Sequence, residues 1–197
     1  KNKDFISFCK ELSNICFNNK GDIKKIESSK MKNNMLVKDN LVDLISKIGE
    51  KITIRRSKFF DNKNGSNFHY VHNAIEQNIG KIISVVKLSD ETKDKNREIG
   101  IKLAMHIAAS NPLSVDKNDL DKKILDKELE IIKAELSNSG KEDDMIEKIS
   151  KGKLNKFISD NTLVNQIWIM DPKKKVSDIL QGIKVLSFTR YKVGEGV

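Results

Sequence analysis

What this chain does without narrows its chemistry before any motif is read. Its 197 residues hold only two cysteines. Cys9 and Cys16 lie seven residues apart in a helix-like pattern, about 10 Å along the axis, which is too far to bridge. They read as buried free thiols of a reducing cytoplasm, and neither has the neighbouring histidine or basic cluster that activates a catalytic thiol. No apolar run approaches the roughly 20 residues of a membrane-spanning helix, so no span is expected. Aromatics make up 6% of the chain, and none falls in the Lys-rich stretches 20–32 and 173–175. The interleaving of aromatic and basic side chains that grips single-stranded nucleic acid is therefore missing.

The signatures of bond chemistry are missing too. There is no Gly-rich phosphate loop with its lysine, no His-Glu-x-x-His, no cysteine pairs at zinc spacing and no Gly-x-Ser-x-Gly elbow. Gly194-Glu195-Gly196 is too short and wrongly placed for a dinucleotide fingerprint. His69 and His72 fall on opposite faces of a strand and make a poor metal pair. Asp143-Asp144 belong to the solvated start of a helix. No enzyme activity, metal or cofactor is expected.

What is present begins with charge. Thirty-seven Lys and Arg face 28 Asp and Glu, a net +9 that would attract nucleic acid, acidic lipid or an acidic protein. Lys, Asn and Ile are over-used everywhere, however, so the surplus reads as general composition rather than as a binding stripe. The length allows one large domain or two small ones, with a real core. The chain opens on Lys1 without methionine and without a charged-then-apolar leader, which reads as a fragment or a processed product.

Residues 51–60 (KITIRRSKFF) and 79–88 (IGKIISVVKL) are rich in Ile, Val, Thr and Phe and predict strands. A shorter run, 68–71, follows the turn pair Asn64-Gly65, so antiparallel hairpin strands are expected over 51–88. Tyr70 and His72 share one strand face. Before this sheet, Phe5, Phe8, Cys9, Leu12, Ile15 and Cys16 recur at helical spacing and end at Asn18-Asn19-Lys20-Gly21. A polar loop with room for a short helix leads to a second helix marked by Leu36, Val37, Leu41, Leu44, Ile45 and Ile48. Asn33 or Asn34 is placed to cap it, and Gly49 to close it.

After a polar bend at 89–95 comes a helix over 96–110. Gly100, Ala104 and Ala108 form a column of small residues that lets a neighbour approach closely, beside Ile99, Leu103 and Ile107. Lys102 and His106 share another column, expected to be the wetter one, with His106 at the boundary or surface. Asn111-Pro112 stops the helix. Asn118 is a candidate cap for the next, with Asp119 and Asp121 in its first turn. Leu125, Leu129, Ile132 and Leu136 then repeat as a coiled-coil seam. Ser139-Gly140-Lys141-Glu142 turns the chain and offers a capping box, and Met145, Ile146, Ile149, Leu154, Phe157 and Ile158 line the return helix. Beyond it lie the apolar run 167–169, a short helix at Val176, Ile179 and Leu180 ended by Gly182, and a final strand over 183–193. The expected fold is α+β: small antiparallel sheets flanked by helices, with an inserted antiparallel helical hairpin.

Seven blocks carry a family resemblance: IGEKITIRR (48–56), YVH (70–72), IGKIISVV (79–86), LAMHIAASNP (103–112), EKISKGKLNKF (147–157), VNQIWIMDP (164–172) and FTRYKVGEG (188–196). Their order resembles that of bacterial elongation factor Ts over nearly the whole chain. The resemblance implies a cytoplasmic guanine-nucleotide exchange factor for elongation factor Tu, binding its GDP form and its nucleotide-free form. It divides the chain into part of an N-terminal core subdomain (1–64), a C-terminal core subdomain (65–113 and 163–197) and an inserted coiled-coil dimerisation arm (114–162), which leaves a homodimer through the arm open. Ile48 and Gly49 match the pair that abuts the partner's GTPase domain. His72 matches a partner-contacting histidine and Ile169, after Trp168, an apolar contact position, and Tyr70 and Trp168 are expected in the same partner-binding set, the C-terminal module meeting the partner's third domain. The arm's positions are Leu125, Leu129, Ile132, Leu136, Ile146 and Ile149.

The family's Thr-Asp-Phe-Val motif, whose Phe is the wedge near the partner's magnesium site, lies upstream of the helix that begins this chain. Asp4-Phe5 matches only half of it, and the family's last helix is missing as well. Weak binding and poor exchange by these 197 residues are therefore expected. Two rival classes stand beside this one. A basic RNA-binding module would lose affinity steeply with salt, and a dimerising scaffold would depend on the Leu125, Leu129 and Ile132 seam. Contact with nucleic acid is disfavoured by the missing aromatics, and contact with a membrane by the missing span.

Overall fold

The computed structural model describes residues 2–89, 93–137 and 142–196. It is an α+β protein of two compact units, one formed by Lys1–Asp61 with Asn73–Lys81 and the other by Asn62–His72 with Ile82–Val197.

In the first unit the helical spacing at 5–16 produces α1 (Lys3–Asn18), opened by Asn2, whose side chain accepts the Asp4 and Phe5 N–H groups. Phe8 is buried, and Phe5, Leu12, Ile15 and Cys16 gather around the same core. The chain reverses through Lys20 and Gly21, both in the left-handed region, into α2 (Ile23–Glu27), capped by Asp22. A third helix, α3 (Val37–Ile48), ends at Gly49 with φ 78°, the conformation a glycine adopts without Cβ strain. Its start differs from expectation. Leu36 holds the N-cap position without a side-chain bond, while Asn33 pairs with Asn40 and takes the Met35 N–H. Ile26, Met31, Val37 and Leu44 complete this core.

The expected strand at 51–60 does not form. Ile52 and Ile54 turn inward onto the core while Lys51, Thr53 and Arg55 face out, so the alternation is present. Alternation marks half-buried extended backbone, whereas a strand also needs a ladder beside it, and no strand is assigned here.

The sheet is built instead from β1 (Ser66–Glu76), β2 (Ile79–Leu88) and β3 (Val185–Lys192), in that spatial order. The first strand outruns the apolar segment 68–71, continuing through 72–76, where Ile75 is half-buried and its neighbours are exposed. Gln77 and Asn78 make the turn into β2, and β3 lies antiparallel to β2 with Ser84 opposite Arg190 and Val86 opposite Phe188.

The fourth helix, α4 (Lys93–Ser110), reaches all three strands through its small-residue column. At Gly100 an added Cβ would lie 2.3 Å from the Phe68 ring on β1. Ser84 on β2 donates its hydroxyl to the Ala104 carbonyl at 2.6 Å, and Arg190 on β3 donates Nε–H to the Ala108 carbonyl at 3.0 Å. Leu103, Ala104 and Ile107 pack with Val86, Leu88, Leu163, Trp168, Val176, Leu180 and Ile183 as the second core.

Two antiparallel helices, α5 (Lys122–Ser137) and α6 (Asp143–Asn161), form a hairpin. At its base Ser114 and Thr162 form an isolated bridge, and Leu163 N–H donates to the Ser114 carbonyl at 2.9 Å. Asn118 is not the cap: Asp116 caps the 3-10 turn Lys117–Asp119, and the Asp121 carboxylate accepts the Lys123 N–H. The predicted Ser139–Glu142 capping box falls largely outside the described residues, and Glu142 precedes α6 without a side-chain cap bond. After α7 (Val176–Leu180), Gln181 and Gly182 turn through the left-handed region into β3.

Candidate partner-binding site

The sequence-selected residues are distributed over both units. In the first, Ile48 is half-buried with the core around Phe8, and Gly49 is exposed, with open space where a Cβ would stand. In the second, Tyr70 and His72 do share a face of β1. The Tyr70 hydroxyl is 3.3 Å from His72 Nδ1, and the rings are tilted at 42° with centroids 6.1 Å apart. His72 is exposed. Asn73 follows it at φ 50°, a left-handed residue that interrupts the pleat directly after the histidine.

The third group lies on the segment between α6 and α7. Trp168 N–H donates to the Lys174 carbonyl at 2.8 Å, Val176 N–H to the Gln166 carbonyl at 3.0 Å, and Ile167 bridges Lys175. Asp171 N–H returns to the Trp168 carbonyl at 3.1 Å. Around this tight reversal the side chains separate: Trp168 points inward and is 4% exposed, while Ile167, Ile169 and Met170 point outward at 62%, 44% and 43%. Trp168 thus belongs to the core, and the outward face is made by Ile169 and its neighbours.

His106 departs most from expectation. It is fully buried rather than at the wet boundary. Leu103 and Ile107, three residues before it and one after, face the same core, and that neighbourhood outweighs the Lys102 column. Its ring stacks on Trp168 at 5.2 Å and 22°. Nε2 and Gln166 Oε1 are 2.9 Å apart, while the Gln166 amide donates to the Asp160 carbonyl at 2.7 Å. With its oxygen thereby turned to the ring, Gln166 accepts an Nε2–H, and Nδ1 is left to accept the Ile169 N–H at 3.4 Å. The imidazole is neutral in this arrangement. Burial lowers its pKa, and Gln166 opposes that shift.

Gln166, Ile167, Met170 and the inward role of His106 escaped the sequence reading. Ile167 and Ile169 flank Trp168 at spacing two, a signal that the tryptophan faces the opposite way.

The thiols of Cys9 and Cys16 are partly buried, and burial pushes both pKa values up, which keeps them protonated at neutral pH. Among the described residues no three His, Cys, Asp or Glu converge as a metal site, and no helix is long and apolar enough to cross a membrane.

A family model described as Elongation factor TS matches residues 1–195. Elongation factor Ts of Rickettsia felis is 31% identical over 207 residues, covering 100% of this chain and 67% of that protein. Its counterpart in Psychrobacter arcticus is 38% identical over 200 residues (100% and 64%), and that of Maricaulis maris 33% over 209 (100% and 67%). The chain spans about two thirds of the length of these relatives. With the family model matched over residues 1–195 and relatives above 30% identity across all of it, the chain belongs to the elongation factor Ts family.

Proposed function

We propose that the chain serves translation elongation as a guanine-nucleotide exchange factor for elongation factor Tu, promoting GDP release by distorting that partner's magnesium and phosphate site. The observation that supports this most is the family match over residues 1–195. An exchange factor performs no bond chemistry of its own. It shifts an equilibrium by binding the nucleotide-free partner more tightly than the GDP-bound one, and only that difference in affinity does work. The surfaces described above suit such a task. Gly49 and His72 are exposed, and Ile167, Ile169 and Met170 present apolar anchors of the kind that dominate interfaces.

In this reading Ile48 and Gly49 meet the GTPase domain, His72 beside Tyr70 makes a polar contact, and Ile169 meets the third domain of elongation factor Tu. Trp168 supports Ile169 from inside. The hairpin within 114–162 is the self-association arm, and the setting is cytoplasmic. The test is calorimetric titration of this chain into elongation factor Tu, with and without GDP. Binding of both forms by these 197 residues is expected to be weak, with affinity for the nucleotide-free form about fivefold, or ~1 kcal/mol, above that for the GDP form. Equal affinities would remove exchange as the function, since a ligand indifferent to the two states shifts neither.

A further inference from the structure

Burying a histidine is costly unless both ring nitrogens find partners, and a leucine of similar size would fill the space around residue 106 without that requirement. Here both nitrogens are used, and they act on one short segment. Nε2 meets Gln166, and Nδ1 accepts from the backbone of Ile169, three residues further on. Between those two points the ring face lies against Trp168. The three interactions therefore hold residues 166, 168 and 169, the inward and backbone side of the reversal whose outward side is Ile167, Ile169 and Met170.

None of the outward side chains is in the core cluster of this unit, so packing of their own does not set their direction. The backbone that carries them does. Gln166 is fastened in turn, its amide donating to the Asp160 and Ser110 carbonyls, so the histidine bears on a fixed point.

We infer that His106 is a positioning residue for partner binding: through Nδ1 on the Ile169 amide and its stack on Trp168, it holds Ile167, Ile169 and Met170 outward as one apolar contact edge for elongation factor Tu. The inference rests on the partner assignment proposed above. Its physical content is preorganisation. A contact edge already ordered in the free chain loses less entropy on binding than one that must be ordered then.

Two substitutions separate the two ring nitrogens. His106→Asn keeps an acceptor at the δ position, within reach of the Ile169 amide, and gives up the ε contact. His106→Gln keeps a polar atom at the ε position and gives up the δ acceptor. Both variants are compared with wild type by hydrogen exchange of the Ile169 amide in the free chain and by affinity for nucleotide-free elongation factor Tu. Both variants lose the stack on Trp168, so the expected result is exchange and affinity in the Asn variant closer to wild type than in the Gln variant. In the Gln variant, exchange at Ile169 should be about tenfold faster and affinity at least about fivefold weaker, with the remaining core amides still protected.

Equal behaviour of the two variants would overturn the positioning role and leave His106 as ordinary core. So would loss of affinity in the Gln variant without faster exchange at Ile169. A wild-type chain with no affinity would overturn the partner assignment and the binding half of this inference, while the exchange comparison would still decide whether Nδ1 fixes the Ile169 backbone.

Discussion

A single methyl group at position 100 would stand 2.3 Å from the Phe68 ring, closer than any packed carbon tolerates. Gly100→Ala is expected to destabilise by about 1–3 kcal/mol through overpacking, although alanine is the better helix former. In urea denaturation, Phe68→Leu should recover part of that loss in the double variant, and additive losses would show that the two sites do not meet. His72 illustrates the opposite case. It is exposed, so His72→Ala should cost less than about 1 kcal/mol of stability while weakening affinity for elongation factor Tu. Comparable losses in both would mean that the histidine supports the fold. For His106 the sign follows from burial. Its pKa is lowered in the folded state, so the unfolded chain takes up the proton more readily as pH falls below about 6.5. The stability it contributes is present above that pH and lost below it. The fall in Tm between pH 7 and 5.5 should accordingly be larger for wild type than for His106→Asn, and identical profiles would count against a buried neutral imidazole.

The helical hairpin behaves as an element with its own interior. Ile132 and Leu136 are buried within it, and Leu125, Leu129, Ile146 and Ile149 are half-buried, while Ile131 and Met145 are exposed. Ile132→Ala should therefore cost about 2–4 kcal/mol by cavity formation, against at most about 0.5 kcal/mol for Ile131→Ser. Self-association is better probed at the exposed positions, since polar residues along the buried seam would unfold the hairpin itself. If the arm joins two chains, Ile131→Ser and Met145→Ser should raise the dimer dissociation constant in sedimentation at unchanged helix content. The hairpin helices, α1 and α3 were legible because four to six apolar residues recur along each at helical spacing. The segment 51–60 was not, because Ile52 and Ile54 alternate with polar residues whether or not a second strand pairs with them.

At the scale of the whole molecule, the net charge of +9 makes salt dependence the test of partner class. Contacts built on Ile169, Met170 and His72 should change affinity only modestly between 50 and 200 mM salt, whereas an RNA-binding surface would lose roughly a thousandfold or more. A steep salt slope with RNA, unaffected by His72→Ala, would favour the basic-module alternative. The seven sequence blocks identify the family because they record many positions in order. Which side chains face out was only partly readable: Ile167 and Ile169 alternate with Trp168, but nothing in local spacing turns Met170 outward as well.

The sequence by itself determined the helical periodicities, the turn at Gly49, the close approach at Gly100 and the family. Each of these is written in local spacing or residue type: an apolar face repeats at 3.6, a glycine admits positive φ, and a missing Cβ admits a neighbour. Tertiary structure alone decided that 51–60 forms no strand, that His106 is interior and that Trp168 packs in the core. Those outcomes depend on what occupies the other side of each element, and partners distant in sequence, such as Gln166 for His106 across 60 residues, leave no trace in local spacing.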